Sequence, residues 1–313
     1  LGRGPGMSNI SITYPDRAAR WLSVVADYLA LTKFRIGMLV LVVVAVVAEV
    51  ATWGQLSPLL LVHLLGGTLL VSASASIANQ VSERALDRQM PRTASRPLPT
   101  GRISPRAAIQ FSLVTGLIGT AWLTLLVNGL TAILGVACWL LYVCAYTPLK
   151  TRSPYNTLVG AIAGAMPVLM GWAATGASWN PFQDLRCPAL FMVVFLWQFP
   201  HFMAIAWLYR DHYKQASMKM WPVLDASGRR PAVIAVLSAM SLLPVSFIPG
   251  FYWPSSAGSL YLLVAFVLGA GQLVLAIRFF LCVNDRRARW LLWASLVYLP
   301  VLLCSMLVIP LVF

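Results

Sequence analysis

Asn79, Glu83 and Asp87 are the residues whose types and spacing most readily do chemistry. Each step of four residues turns an α-helix by about 400°, so successive side chains drift only about 40° while rising about 6 Å. The three oxygen-bearing groups therefore line one helix face. Such a row of hard ligands suits Mg²⁺, which keeps several waters and is usually held by one or two carboxylates plus a substrate's phosphates. Arg84 and Arg88 repeat the spacing on an adjacent strip, and Arg92 and Arg96 continue it past Pro91, where the helix is expected to end or kink. A divalent ion beside guanidinium forks makes a diphosphate clamp. Arginines alone would prove little, because loops facing the cytoplasm collect them. The acids carry the argument: the whole chain has nine Asp and Glu, and acids at a membrane boundary tend to be functional.

The elements that must position this row are apolar. Of the 313 residues, 59% are hydrophobic and 10% charged, against about 25% charged in soluble domains, and the mean hydropathy is +0.79. The apolar runs 36–53, 56–78, 107–127, 130–146, 157–175, 189–208, 232–252, 259–281 and 290–313 predict nine membrane-spanning helices. The turns 54–57 and 128–129 make their flanking helices antiparallel neighbours. No short period recurs, which excludes solenoids. All 23 Lys and Arg except Arg186 then fall on one side, so the amino terminus and the loops on its side should face the cytoplasm. The division expected is a cytoplasmic segment, 1–35, and one transmembrane domain, 36–313.

A formal charge of +14 could suggest nucleic acid, yet the basic residues are spread between apolar spans rather than clustered on a soluble domain. The five cysteines show no Cys-x-x-Cys pair and read as small apolar residues. The segment 1–35 lacks the apolar core of a secretory signal, and Asp16 and Asp27 argue against a transit peptide. Met7 reads as a natural start, and a short surface helix is expected around Arg17 to Leu31. His63 reads as a buried, hydrogen-bonded side chain of the second span and Glu49 as a packing or boundary residue. Gly160, Gly164 and Gly171 make the fifth span thin-sided, for close helix packing.

Two further constellations lie on the basic side. Tyr146-Thr-Pro-Leu-Lys150-Thr-Arg152 closes the fourth span, with Asn156 opening the fifth. The sixth span carries Trp197-Gln-Phe-Pro-His201-Phe, then Trp207, Asp211 and Tyr213. Trp197 and His201 share a face, as would Trp207 and Asp211. Pro200 frees a backbone carbonyl in the preceding turn and can open the helix where a polar cavity needs lining.

The run Asn79-Gln-x-x-Glu83-Arg-x-x-Asp87-x-x-Met-x-Arg92-Thr-x-x-Arg96-Pro-Leu-x-x-Gly-Arg-Ile-Ser resembles the first signature of the intramembrane aromatic prenyltransferase (UbiA-type) superfamily. Trp-Gln-x-Pro-His-Phe, in place of a second aspartate-rich motif, resembles the branch that farnesylates protoheme IX. The resemblance implies an all-α membrane protein: nine helices around a central apolar cavity, with polar motifs at its cytoplasmic mouth. It implies an enzyme of the bacterial plasma membrane, or of the mitochondrial inner membrane in a eukaryote. Its substrates would be farnesyl diphosphate and heme B, its cofactor Mg²⁺, and a downstream heme-modifying enzyme would be its partner. Asn79, Glu83 and Asp87 would hold the metal, and Asn79, Arg92, Arg96 and His201 would be catalytic. Arg84, Arg88, Lys150, Arg152, Asn156, Trp197, Asp211 and Tyr213 would bind substrate. Thr151 stands where the family has a basic residue, with the arginine one position later. His201 could orient the acceptor, ligate heme iron or hydrogen-bond diphosphate. The alternatives are prenylation of a quinone precursor or other aromatic acceptor, and a heme or lipid transporter.

Overall fold

The structure, a computed structural model, describes residues 17–312. Residues 1–16, with Arg3, Met7 and Asp16, lie outside the described residues. The first helix, α1 (Arg17–Leu31), matches the expected surface helix. It is amphipathic and leaves Trp21, Leu22, Val25 and Leu29 exposed, as suits a helix lying at a bilayer interface.

Nine helices long and apolar enough to cross a membrane follow among the described residues: α2 (Phe34–Ala51), α3 (Pro58–Asp87), α4 (Pro105–Leu126), α5 (Gly129–Arg152), α6 (Asn156–Ala174), α7 (Arg186–Leu208), α8 (Arg229–Tyr252), α9 (Ser255–Leu281) and α10 (Asp285–Ile309). The expected nine spans are therefore present, with ends shifted by a few residues. The largest shifts are at the carboxyl ends of α3, which runs on to Asp87, and of α5, which runs on to Arg152 and so places Lys150 on a spanning helix rather than in a loop.

Apolar side chains gain little by facing one another rather than lipid, so helix association rests on close packing and interhelical hydrogen bonds. Small residues supply the first. A Cβ on Gly119 would stand 2.9 Å from the Val71 backbone nitrogen, and one on Gly171 would stand 2.6 Å from the Val44 carbonyl. Side chains there would push α4 off α3, and α6 off α2. Ser74 and Ser112 supply the second, each donating to the other's carbonyl at 2.7 and 2.9 Å. The main core gathers α2, α6, α7, α9 and α10 around Trp172, Tyr261 and Tyr298.

Two irregular stretches set up the site. Leu141–Tyr146 of α5 is a π-helical turn. Pro148 lacks an N–H and its ring crowds the carbonyl four residues back, so the ladder must shift register there. The shift stacks Tyr142 on Tyr146, ring centroids 5.5 Å apart. Between α1 and α2, Lys33 adopts φ 50° and ψ 47°, a left-handed conformation costing about 1–2 kcal/mol for a residue with a Cβ. The bend is tied down by Gln80, whose amide donates to the Leu31 carbonyl at 2.6 Å.

Candidate active site at the basic mouth of the bundle

Asn79, Glu83 and Asp87 share one face of α3 and all are buried. Each is met by one cation, and the three cations come from three different segments. Lys33 Nζ donates to Asn79 Oδ1 at 2.6 Å. Lys150 Nζ pairs with Glu83 Oε1 at 2.6 Å, and Arg96 Nη1 with Asp87 Oδ2 at 3.0 Å. Asn79 is oriented further by its amide, which donates to Thr147 Oγ1 at 2.9 Å, while that hydroxyl donates to the Tyr142 carbonyl. Burial, with the neighbouring Lys150 charge next, pulls the Lys33 ammonium down to about 7.

The helix ends at Asp87, earlier than the expected break at Pro91, because Thr93 folds back to donate to the Asp87 carbonyl at 2.9 Å. This turn lets Arg96 reach Asp87. It also separates the arginines. Arg84 donates to the Val81 carbonyl and Arg88 to the Pro99 carbonyl, both exposed, and neither bonds to the oxygen row among the described residues. Arg92 is exposed and lies over the Tyr209 ring at 5.3 Å. Arg102, which had no assigned role, forks onto Asp27 at 2.9 and 3.1 Å and ties α1 to the loop.

Below the row lies an apolar cavity of about 380 Å³, within the usual range of roughly 300–1,000 Å³ for ligand sites. Val40, Val71, Met170 and Leu299 give it an apolar wall, while Tyr142, Tyr146, Gln198 and His201 bring polar atoms to it. Tyr142 bridges cavity and row, its hydroxyl 3.4 Å from Asn79 Oδ1. Gly160 and Gly164 line the space and are close-packed as well, since a Cβ on Gly160 would stand 2.8 Å from the Tyr146 ring and one on Gly164 would run into the Gln198 amide, while Gly171 packs against α2.

Of the remaining expected residues, Trp197 and His201 stack at 5.1 Å and both line the cavity. The pairing expected of Trp207 with Asp211 does not form. The helix breaks at Tyr209, and Trp207 Nε1 donates instead to Asp285 Oδ1, where Arg210 joins it, each at 3.0 Å. Asp211 and Arg152 are exposed. Asn156 donates to the Ser153 and Lys219 carbonyls and so braces two loops. Tyr213 packs beside Met90 and Met218, and burial raises its hydroxyl's pKa. Asp225 caps a turn: Ser227 and the Arg230 amide bond its carboxylate, which lowers its pKa. The helix through Pro200 stays closed. His63 Nδ1 and Glu49 Oε2 are buried without a hydrogen-bond partner among the described residues, which corrects the expectation of a bonded His63.

Glu83 Oε2 and Asp87 Oδ1 make no hydrogen bond among the described residues, so each carboxylate keeps an oxygen in reserve. No cluster of three His, Cys, Asp or Glu occurs among the described residues. Two carboxylates and one amide are too few for a closed cage and fit Mg²⁺, which takes its other ligands from water and phosphate. Lys33, Tyr142 and Thr147 escaped the sequence reading. Lys33 lies 46 residues from its partner and shares no spacing with the motif.

An oxygen row met by three cations above an apolar cavity, in a bundle of spanning helices, is a site of the kind suited to an amphiphile with an anionic head and an apolar tail. The model of the UbiA prenyltransferase family matches residues 38–297, and the chain belongs to that family. It is 40% identical over 284 residues to the protoheme IX farnesyltransferase of Rhodopirellula baltica, covering 88% of this chain and 97% of that one. It is 39% identical over 311 residues to the protoheme IX farnesyltransferase of Koribacter versatilis, covering 95% and 98%. The fold is similar to a UbiA homolog from Archaeoglobus fulgidus bound to DMAPP and Mg²⁺, with a TM-score of 0.65 at 16% identity, covering 92% of this chain and all of that one.

Proposed function

We propose that the protein transfers a farnesyl group from farnesyl diphosphate to a vinyl group of heme B, giving heme O and diphosphate. The observation that carries this reading is the meeting of three cations from three segments on one oxygen row, directly above an apolar cavity. The relatives' names supply the substrate pair.

Lys33, Lys150 and Arg96 grip the diphosphate, with Arg92 at the rim, and their charge stabilises the electrons it gains as the allylic carbon–oxygen bond breaks. Asn79, Glu83 and Asp87 would hold Mg²⁺, which supplies further stabilisation of that leaving charge when bound. The cavity keeps the farnesyl chain and its cationic carbon away from water. The vinyl π electrons form the new carbon–carbon bond, and water captures the cation left beside the porphyrin, releasing a proton and leaving a hydroxyl. Trp197 and His201 face the acceptor. Arg84, Arg88 and Arg152, all exposed, belong to the approach surface for anionic headgroups rather than to the grip, and the exposed, anionic Asp211 has no part in either. Residues 36–313 act as one transmembrane unit.

Charge distribution supports an amino terminus on the cytoplasmic side of a bacterial plasma membrane, or the equivalent face of a mitochondrial inner membrane. The added farnesyl tail holds the product in the bilayer, so a downstream heme-modifying enzyme in the same membrane is its natural recipient. Mass spectrometry of hemes extracted from cells with and without this chain tests the reading: heme O appears only with it. A prenylated quinone precursor instead of heme O would sink the proposal.

A further inference from the structure

Ser295, on α10, is fully buried and holds two rings of α7 at once. Its carbonyl accepts from Trp197 Nε1 at 2.7 Å, and its hydroxyl oxygen lies 3.0 Å from His201 Nδ1. The hydroxyl's single proton is already committed, because Ser295 Oγ donates to the Leu292 carbonyl at 2.7 Å. Ser295 Oγ can therefore only accept from His201, which puts the imidazole proton on Nδ1. Nε2 keeps its lone pair. It makes no hydrogen bond among the described residues and belongs to a ring that lines the cavity. Trp197 stacks on the imidazole at 5.1 Å and Phe202 packs edge-on at 5.7 Å, so the ring is clamped in this orientation.

A lone pair so placed can take a proton or bind a metal, and its surroundings favour the second. Histidines that act as bases commonly have a carboxylate behind the other nitrogen to compensate the imidazolium. His201 has a serine hydroxyl there, and no carboxylate bonds to it among the described residues. A protonated ring would be a charge without a partner in an apolar wall. Coordination by the neutral ring needs no such compensation, and neutral imidazole with its second nitrogen bonded to an oxygen is a common arrangement around iron and similar metals.

We propose that His201 Nε2 is an axial ligand for the iron of the porphyrin acceptor and that Ser295 is the positioning residue that fixes its tautomer and orientation. The inference rests on the heme reading above and deepens it: the acceptor is gripped by its metal, which leaves the vinyl-bearing edge free to react.

The test titrates the purified full chain, in detergent, with ferric protoporphyrin IX and with metal-free protoporphyrin IX. The wild type binds the iron form at least about tenfold more tightly and shows the electron paramagnetic resonance signature of a nitrogen ligand. His201→Ala abolishes both, and added imidazole restores the signature. Ser295→Ala lowers the iron preference about tenfold, whereas Ser295→Thr, which keeps the hydroxyl, retains most of it. Equal affinity of the wild type for both porphyrins overturns the ligation, and if heme O is still made, the proposed function stands without it. Failure to bind either porphyrin overturns both readings. An unchanged iron preference in Ser295→Ala overturns the positioning role.

Discussion

Lys150 Nζ stands 2.6 Å from Glu83 Oε1, a buried pair that joins α5 to α3 across 67 residues of sequence, with the Tyr146 ring 4.5 Å from the ammonium. Removing one partner of such a pair leaves an uncompensated charge and costs about 3–5 kcal/mol. Lys150→Met should therefore lower the melting temperature and abolish turnover together. Adding Glu83→Gln should recover most of the stability but no activity, because the grip on diphosphate is still missing. Thermal unfolding and product assays on the single and double variants measure the split; recovery of activity in the double variant would contradict the assigned role.

The arginines of the motif should divide sharply. Arg96 meets Asp87 at 3.0 Å, while Arg84 and Arg88 are exposed and bonded to backbone carbonyls. Arg96→Ala is expected to reduce kcat/KM by about 10²-fold or more. Arg84→Ala and Arg88→Ala should each stay within about threefold of wild type, since exposed charges contribute little. Equal losses at all three positions would mean that the diphosphate lies across the outer face of α3.

Lys33 is held in a left-handed conformation with its ammonium on Asn79. Loss of one charge-assisted hydrogen bond of about 1.5–3 kcal/mol corresponds to roughly 10- to 100-fold in affinity. Lys33→Met should raise the dissociation constant for farnesyl diphosphate by that factor while leaving porphyrin binding unchanged. Calorimetric titration of each ligand separately decides it, and a loss confined to porphyrin would reassign the residue.

Gly164 lines the cavity in direct contact with the Gln198 amide, so any side chain there displaces Gln198 into the bore and narrows it. Gly164→Val is expected to favour shorter allylic diphosphates over farnesyl diphosphate. Competition between geranyl and farnesyl diphosphate in one reaction reads the change as a product ratio. No shift toward geranyl would place the isoprenoid elsewhere.

The spans and the oxygen row were legible in the sequence because they rest on local periodicity: long apolar runs, and oxygens repeating every four residues on α3. What closes the row was not. Arg96 reaches Asp87 because Thr93 caps the helix early, which a proline-based reading places four residues too late. Lys33 arrives from before the first span through a backbone bend that no spacing rule anticipates. Tyr142 faces the site only because Pro148 forces a π-turn. Trp207 finds Asp285 rather than Asp211 because the helix breaks at Tyr209. Each of these depends on a contact distant in sequence or on a local break in helical register.

The central claim is that the row on α3 and its three cations hold a diphosphate leaving group over a bore that contains the acceptor. Incubating the purified protein with farnesyl diphosphate, Mg²⁺ and heme B, and measuring heme O and released diphosphate together, tests it most directly. The account predicts equal amounts of both products. It also predicts that chelation of Mg²⁺ stops both reversibly, and that Asp87→Asn loses about 10²–10³-fold in rate while still binding heme. Undiminished heme O formation by Asp87→Asn, or without a divalent ion, would contradict it.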